Sequence, residues 1–110
     1  MRAMRPEVLL TDPVVRDAAI YALVDQIPAG KVMTYGDVAD YLGLSTPRIV
    51  GATLARAEVE VPWHRVVPAT GRPARHLAQA QLALLVAEGV RCRDGRVELA
   101  LARATAAELP

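Results

Sequence analysis

The residues with chemistry to offer gather in one short run, Val61-Pro62-Trp63-His64-Arg65-Val66-Val67, which holds the only Trp of the chain and one of its two His. An indole is a broad apolar surface whose ring N–H can only donate. Trp63 is therefore either a core anchor beside Pro62 or a platform for a flat ligand. Arg48 and Arg56 lie near the ends of a short helical stretch, and Arg72-Pro73-Ala74-Arg75-His76 is a basic loop. The single Cys, Cys92, has no His nearby in sequence and reads as an ordinary buried or half-buried thiol ahead of a displaced nucleophile. No Cys/His cluster has metal-ligand spacing and no Gly-rich loop has phosphate-binding spacing, so no metal and no cofactor is implied.

Short elements must position these side chains. Thr11-Asp12-Pro13 supplies a capping side chain and a Pro in the first turn. Val14, Ala18, Tyr21 and Asp25 fall on one line of helical spacing, with Ile20, Leu23 and Ile27 beside it. This predicts a helix over 13–27, ended by Pro28-Ala29-Gly30. Lys31-Val32-Met33 is a short extended segment. Thr34 caps a second helix, with Asp37 three residues later near the positive end of the helix dipole. Val38, Ala39 and Leu42 face inward, and Gly43 stops the helix. After a three-residue turn, Thr46-Pro47 opens a third helix through about Arg56. Two short helices about a tight Gly-containing turn fit a helix-turn-helix, and they equally fit an ordinary pair of packed helices. Gly51, Ala52 and Ala55 give the third helix a small-residue face. A major-groove reader carries long polar side chains. Small residues admit either the narrow minor groove or a neighbouring helix.

Val59 to Val67 is apolar, but Pro62 interrupts it, so it is no regular central strand. Pro68-Ala69-Thr70-Gly71 turns into the basic loop. Leu77 to Glu88 reads as a helix through Leu77, Ala80 or Gln81, Leu84 and Leu85, and Gly89 ends it. Val90 to Leu99 alternates around Asp94-Gly95, a two-residue hairpin signal. Ala100 to Pro110 is Ala-rich, either a last helix or a frayed tail. Met1 to Leu10 has no clear period and reads as a lead-in.

The chain of 110 residues is read as a single domain, with a core over about 12–99 flanked by segments 1–10 and 100–110. Phe is absent, so Val, Leu, Ile and Ala must fill the core. A net charge of +1 is too balanced for coating nucleic acid by charge alone; any DNA contact needs a local patch. One Cys forms no disulfide within the chain, which fits a reducing cytoplasm. No signal peptide and no membrane span is expected.

Four runs in order carry a resemblance: Lys31 to Ala39, Pro47 to Ala52, Val61 to Val67, and Ala87-Glu88-Gly89-Val90. Together they resemble the DNA-binding domain of the alkylguanine-DNA alkyltransferases, over most of residues 12–91. The enzymes carry Pro-Cys-His-Arg, whose thiolate takes the alkyl group from guanine O6. Trp63 stands at that position here, the mark of the alkyltransferase-like proteins, which bind alkylated guanine without removing the alkyl group. The resemblance implies a mainly α fold with a small β-hairpin, a helix-turn-helix of winged-helix-like type. Tyr35 matches the tyrosine that presses on the phosphate and helps rotate the nucleotide. Arg48 matches the arginine that fills the gap left by the flipped base. Thr34, Tyr35, Arg48, Gly51, Ala52, Ala55 and Arg56 are the implied DNA contacts. Tyr35, Pro62, Trp63, His64, Arg65 and Glu88 are the implied lesion pocket, with Arg72 and Arg75 both candidates for a loop residue that probes the lesion.

A planar guanidinium can stack in a duplex and hydrogen-bond an orphaned base, so Arg48 suits the finger role where Lys would not. Alone, it would read as a phosphate contact or a surface charge. His64 and Glu88 match the pair that activates the thiol in the enzymes. Without a thiol they have only water to activate, and they read as a buried hydrogen-bonded pair that keeps the pocket's geometry. Ala57-Glu58-Val59-Glu60 departs from the Asn-Pro-type hinge of the enzymes, and its two acids suggest a loop facing away from phosphates.

The resulting expectation is a non-catalytic chain that recognises O6-alkylguanine in duplex DNA by minor-groove docking and nucleotide flipping. It would mark lesions for nucleotide excision repair proteins, acting as a monomer in the cytoplasm, on a bacterial nucleoid or in a nucleus. The rivals are an alkyltransferase or hydrolase using another nucleophile or water, and a helix-turn-helix transcription regulator.

Overall fold

A computed structural model describes residues 12–109. The expected lead-in at Met1 to Leu10 lies outside the described residues. Helix α1, Pro13–Asp25, starts where Asp12 accepts from the amides of Val14 and Val15 at 2.9 and 3.3 Å, satisfying two of the free N–H groups at a helix start. It ends two residues before the expected Ile27, because Gln26 and Ile27 bond back three residues to Leu23 and Val24 and tighten the last turn. Its buried face is Ile20, Leu23, Val24 and, past its end, Ile27. Val14 is 78% exposed, so the Val14–Ala18 line faces away from the core.

Strand β1, Met33–Thr34, runs straight into α2, Tyr35–Leu42. Thr34 accepts from the Asp37 amide at 2.9 Å and Asp37 accepts from the Thr34 amide at 3.1 Å, the expected reciprocal cap. Gly43 stops α2 in the left-handed region at φ 71°. Helix α3, Pro47–Ala55, follows the short turn, with Arg56 as its last cap. Helices α1, α2 and α3 bury one core of Ile20, Leu23, Val24, Ile27, Met33, Val38, Ala39, Val50 and Val66. Each large side chain there contributes roughly 1.5–3 kcal/mol from burial.

A 3-10 turn, Trp63–Arg65, leads into β2, Val66–Val67. β1 and β2 pair in parallel, Met33 beside Val66 and Thr34 beside Val67, with α2 and α3 in the crossover. This pairing adds a second small sheet to the expected hairpin. Pro62 lies outside it, as its missing N–H requires.

Helix α4 spans Ala78–Ala87. Gln81 and Leu85 face the core, whereas Leu84, on the same helical spacing, is 43% exposed. Strands β3, Cys92–Arg93, and β4, Arg96–Val97, form the hairpin, and positive φ at Asp94 (54°) and Gly95 (77°) is what the two-residue turn demands. Helix α5, Leu99–Ala102, and a 3-10 turn at Ala106–Glu108 are the last elements among the described residues.

Of the two expectations for the segment after residue 99, a last helix or a frayed tail, the described residues show a short helix followed by a tied-down turn. Val32 donates to the Ala102 carbonyl at 2.9 Å and accepts from the Ala104 amide at 2.8 Å. Ala102 joins a second core with Val32, Val67, Leu85, Val90 and Val97, while Ala104 and Leu109 pack on the first. The folded unit thus extends beyond the expected 12–99, because β1 has a free edge for the segment to cover. Among the described residues no helix is long and apolar enough to cross a membrane.

Candidate nucleic-acid interface

Tyr35 opens α2, so the Thr34–Asp37 cap fixes where its ring begins. The ring lies beside α3: a Cβ built on Gly51 would sit 3.8 Å from Tyr35 Cε1. Ala52 and Ala55 are exposed. The small face of α3 is therefore open surface at these two positions, not a seat for another described helix. Arg48, second residue of α3, is exposed at the same helix's start. Burial raises the Tyr35 phenol above its usual range.

Two of the expected DNA contacts have partners within the chain. Thr34 is buried, and its hydroxyl oxygen accepts from the Asp37 amide, so it shapes the start of α2. Arg56 reaches back to α1, donating to Asp17 Oδ2 at 3.4 Å and to Thr53 Oγ1 at 3.3 Å. Thr53 in turn donates to Asp17 Oδ1 at 2.9 Å. Arg56 thereby helps hold α3 against α1.

Trp63 is half-buried and separates two hollows. One, of about 330 Å³, is walled by Tyr35, Gly51, Leu54, Ala55 and Trp63, and closed by His76 and Leu77. The other, of about 500 Å³, is lined by Val59, Glu60, Val61, Pro62, His64 and Leu84, and shares Leu54 and Trp63 with the first. The indole is thus a wall, not a core anchor. The His64 ring stands edge-on to it, with centroids 6.1 Å apart and planes at 86°. Gln81 fixes the turn from behind: buried in α4, it donates to the carbonyls of His64 at 3.1 Å and Val66 at 2.9 Å.

His64 and Glu88 meet as expected, Nε2 to Oε2 at 2.9 Å. The stronger partner is Arg65. Its Nε donates to Glu88 Oε1 at 3.0 Å, its Nη2 to Oε2 at 2.7 Å, and its Nη1 to the Ile27 carbonyl at 2.8 Å. This two-pronged geometry is the strong form of a carboxylate pair. The Arg65 guanidinium, helped by His64, holds Glu88 down to a pKa of about 2. Arg65, like Glu88, lines neither hollow: its guanidinium is held behind the Trp63 turn by Glu88 and the Ile27 carbonyl. Glu88, so firmly ionised, is a poor proton acceptor and a good clasp.

Arg72 lines neither hollow. It donates from Nη2 to the Asp94 carbonyl at 3.3 Å and lies against Gly95 at the hairpin turn. Arg75 is exposed and lines neither hollow. The loop residue at the Trp63 hollow is His76, which with Leu54 and Leu77 was absent from the expected set. Its place in the basic loop was the available signal. Glu60 of the departing hinge lines the second hollow. Cys92 donates to the Val90 carbonyl at 3.8 Å in β3, and burial, with Glu98 nearby, raises its thiol above the usual range. It is a poor nucleophile there. Among the described residues no group of three or more His, Cys, Asp or Glu could hold a metal ion.

Residues 16–90 match the family of the 6-O-methylguanine DNA methyltransferase DNA binding domain. The chain belongs to this family. The match runs from α1 to the end of α4 and takes in both hollows' shared wall. Among relatives of the methyltransferase DNA-binding domain, alkyltransferase-like protein 1 of Schizosaccharomyces pombe is 46% identical over 55 residues, covering 47% of this chain and 51% of that protein. A methylated-DNA–protein-cysteine methyltransferase of Methanopyrus kandleri is 48% identical over 54 residues, covering 47% of this chain and 40% of that protein. The chain thus matches about half the length of such relatives. Among solved structures, S. pombe Atl1 in complex with damaged DNA containing O6-carboxymethylguanine is 30% identical and superimposes with a TM-score of 0.74, covering 93% of this chain and 99% of that one. The Mycobacterium tuberculosis O6-methylguanine methyltransferase is 27% identical with a TM-score of 0.61, covering 72% and 51%. These likenesses bear out the mainly helical DNA-binding fold expected from the sequence.

Proposed function

We propose that this chain binds O6-alkylguanine in duplex DNA and leaves the alkyl group in place. The observation that carries the reading is Trp63: a half-buried indole walling a hollow beside Tyr35 and the small face of α3, where the resemblance to the alkyltransferases puts their thiol. Family membership and the likeness to Atl1 bound to damaged DNA support the choice of ligand.

The small α3 face enters the minor groove, because Gly51, Ala52 and Ala55 let the helix approach closely. Tyr35, at the helix start, presses on the phosphate of the target nucleotide. Extruding that nucleotide costs a few kcal/mol, less when the base pairs poorly, as an O6-alkylguanine does. Arg48 fills the vacated stack, and the flipped purine lies against Trp63. Trp63 offers one N–H and no nucleophile. Glu88 is committed to Arg65 and His64, and so serves the shape of the pocket in place of activating water. A chain that holds a lesion without consuming it is suited to mark it for nucleotide excision repair proteins. It does so as a monomer on DNA.

Equilibrium binding of the wild type, Trp63→Ala and Arg48→Ala to a duplex with one O6-methylguanine and to its guanine counterpart tests this reading. The wild type should prefer the lesion about tenfold or more, and each variant should lose most of that preference. Equal binding of both duplexes by the wild type contradicts it.

A further inference from the structure

A chain of balanced charge must concentrate its positive groups to hold a duplex, and α3 concentrates few of them. Arg48 is exposed there, but Arg56 is paired with Asp17. The charge gathers on the β3–β4 hairpin. Cys92 and Val97 are cross-strand partners on its inner face, packed with the second core. Arg93 and Arg96 are partners on the outer face. Arg91, two residues before Arg93, continues that face, and its carbonyl accepts from the Glu98 amide at 3.0 Å. All three arginines are exposed, and none of them joins an ion pair among the described residues. Arg72 lies at the tip, donating to the Asp94 carbonyl. These four arginines share the hairpin with two carboxylates, Asp94 and Glu98, while the rest of the chain carries nine lysines and arginines against ten acids.

We propose that Arg91, Arg93 and Arg96 form a second DNA contact: the outer face of the hairpin binds duplex phosphates beside the nucleotide held at Trp63, and sets affinity without reading the lesion. This rests on the chain binding duplex DNA and needs no particular alkyl group. Two like charges placed opposite each other weaken a hairpin. A polyanion lying across both offsets that cost, because each phosphate neutralised releases condensed counterions. The planar guanidinium fork also matches phosphate oxygens.

The hairpin is tied to the pocket's side of the molecule. The Val97 amide donates to the Gly71 carbonyl at 2.8 Å, and the loop that starts at Gly71 leads to His76 and Leu77, which close the Trp63 hollow. A duplex that delivers a nucleotide to this hollow carries its flanking phosphates past the same loop. Phosphate contacts carry no base information, so a guanine duplex and an alkylguanine duplex gain equally from them.

The test is equilibrium binding of the full chain, an Arg93→Gln, Arg96→Gln double variant and an Arg93→Lys, Arg96→Lys double variant to a duplex with one O6-methylguanine and to its guanine counterpart, between about 50 and 200 mM salt. The glutamine variant should bind both duplexes about tenfold more weakly, and its slope of log affinity against log salt should be shallower by about 2. Its lesion-over-guanine ratio should stay within about twofold of the wild type. The lysine variant should keep most of the wild-type slope. Thermal unfolding of the glutamine variant should match or exceed the wild type, since a like-charge pair has been removed, which separates lost contact from lost fold. A wild-type salt slope in the glutamine variant overturns the proposal and gives the arginine face to another anionic partner, such as an acidic protein segment. Weakening confined to the lesion duplex overturns it too. Either result leaves the lesion reading standing, whereas failure of the wild type to bind either duplex overturns the DNA reading itself.

Discussion

Arg65 clasps Glu88 through two nitrogens, Nε at 3.0 Å from Oε1 and Nη2 at 2.7 Å from Oε2, across the junction of the Trp63 turn and the end of α4. The same guanidinium binds the Ile27 carbonyl after α1. One side chain thus ties three parts of the chain behind the pocket wall. Glu88→Gln should cost about 1–3 kcal/mol at neutral pH, because the charged fork is left with a neutral acceptor. The sign with pH follows from the depressed carboxyl. Stability from Glu88 is fully present above its unfolded value, near 4.5, and is lost as pH falls through about 2. Denaturant unfolding of wild type and Glu88→Gln should therefore show a gap at neutral pH that closes progressively below pH 4.5. A gap that stays constant into acid would remove the ion pair as its cause.

Arg48 is exposed at the start of α3. Arg48→Ala should leave unfolding free energy within about 0.5 kcal/mol of the wild type. Lesion-duplex affinity should fall while the fold stays intact, and Arg48→Lys should not restore it, since an ammonium cannot stack in the helix. Full rescue by Lys would mean a simple phosphate contact.

Two glycines should respond in opposite ways. Gly51→Ala meets only ordinary contact with Tyr35, and should raise stability by about 0.5–1 kcal/mol through helix propensity. Gly71 has φ 78°, and a Cβ there would lie 2.5 Å from the Val97 carbonyl oxygen. Gly71→Ala should therefore destabilise by about 2 kcal/mol or more, as a strained backbone displaces the hairpin. Thermal unfolding of both variants checks the pair.

The reciprocal cap at Thr34 and Asp37 starts the helix that carries Tyr35. Asp37 is also bound by Arg103, whose Nε donates at 2.8 Å and which, first among its causes, holds the carboxyl below its usual range. Thr34→Ala should cost about 1 kcal/mol, and Thr34→Ser much less. Because the cap sets the Tyr35 position, Thr34→Ala should also weaken DNA binding when measured well below the melting temperature. Unchanged binding would show that Tyr35 is placed by α3 alone.

What is legible in the sequence follows from the range of each signal. Asp12-Pro13, Thr34 with Asp37, Gly43 and Asp94-Gly95 act within a few residues, and each marks its boundary correctly. The β1–β2 pairing is invisible because two-residue strands have no period, and Met33 meets Val66 only through the fold. Arg65 and Arg72 carry the right charge for a pocket but find closer partners in Glu88 and the Asp94 carbonyl. Gln81 reads as one more helical position, and only the fold reveals two carbonyls needing its amide. The segment after residue 99 has composition alone to read, while its structure is set by the open edge at Val32.

Recognition without transfer can be read in a single measurement. The chain is incubated with a duplex carrying one O6-methylguanine, the bound fraction is compared with a guanine duplex, and both protein and DNA are then weighed by mass spectrometry. Recognition without transfer requires tighter binding to the lesion, with the methyl group still on the DNA and the protein mass unchanged. A methyl group on the protein, or lost from the DNA, would contradict it and make the chain an enzyme.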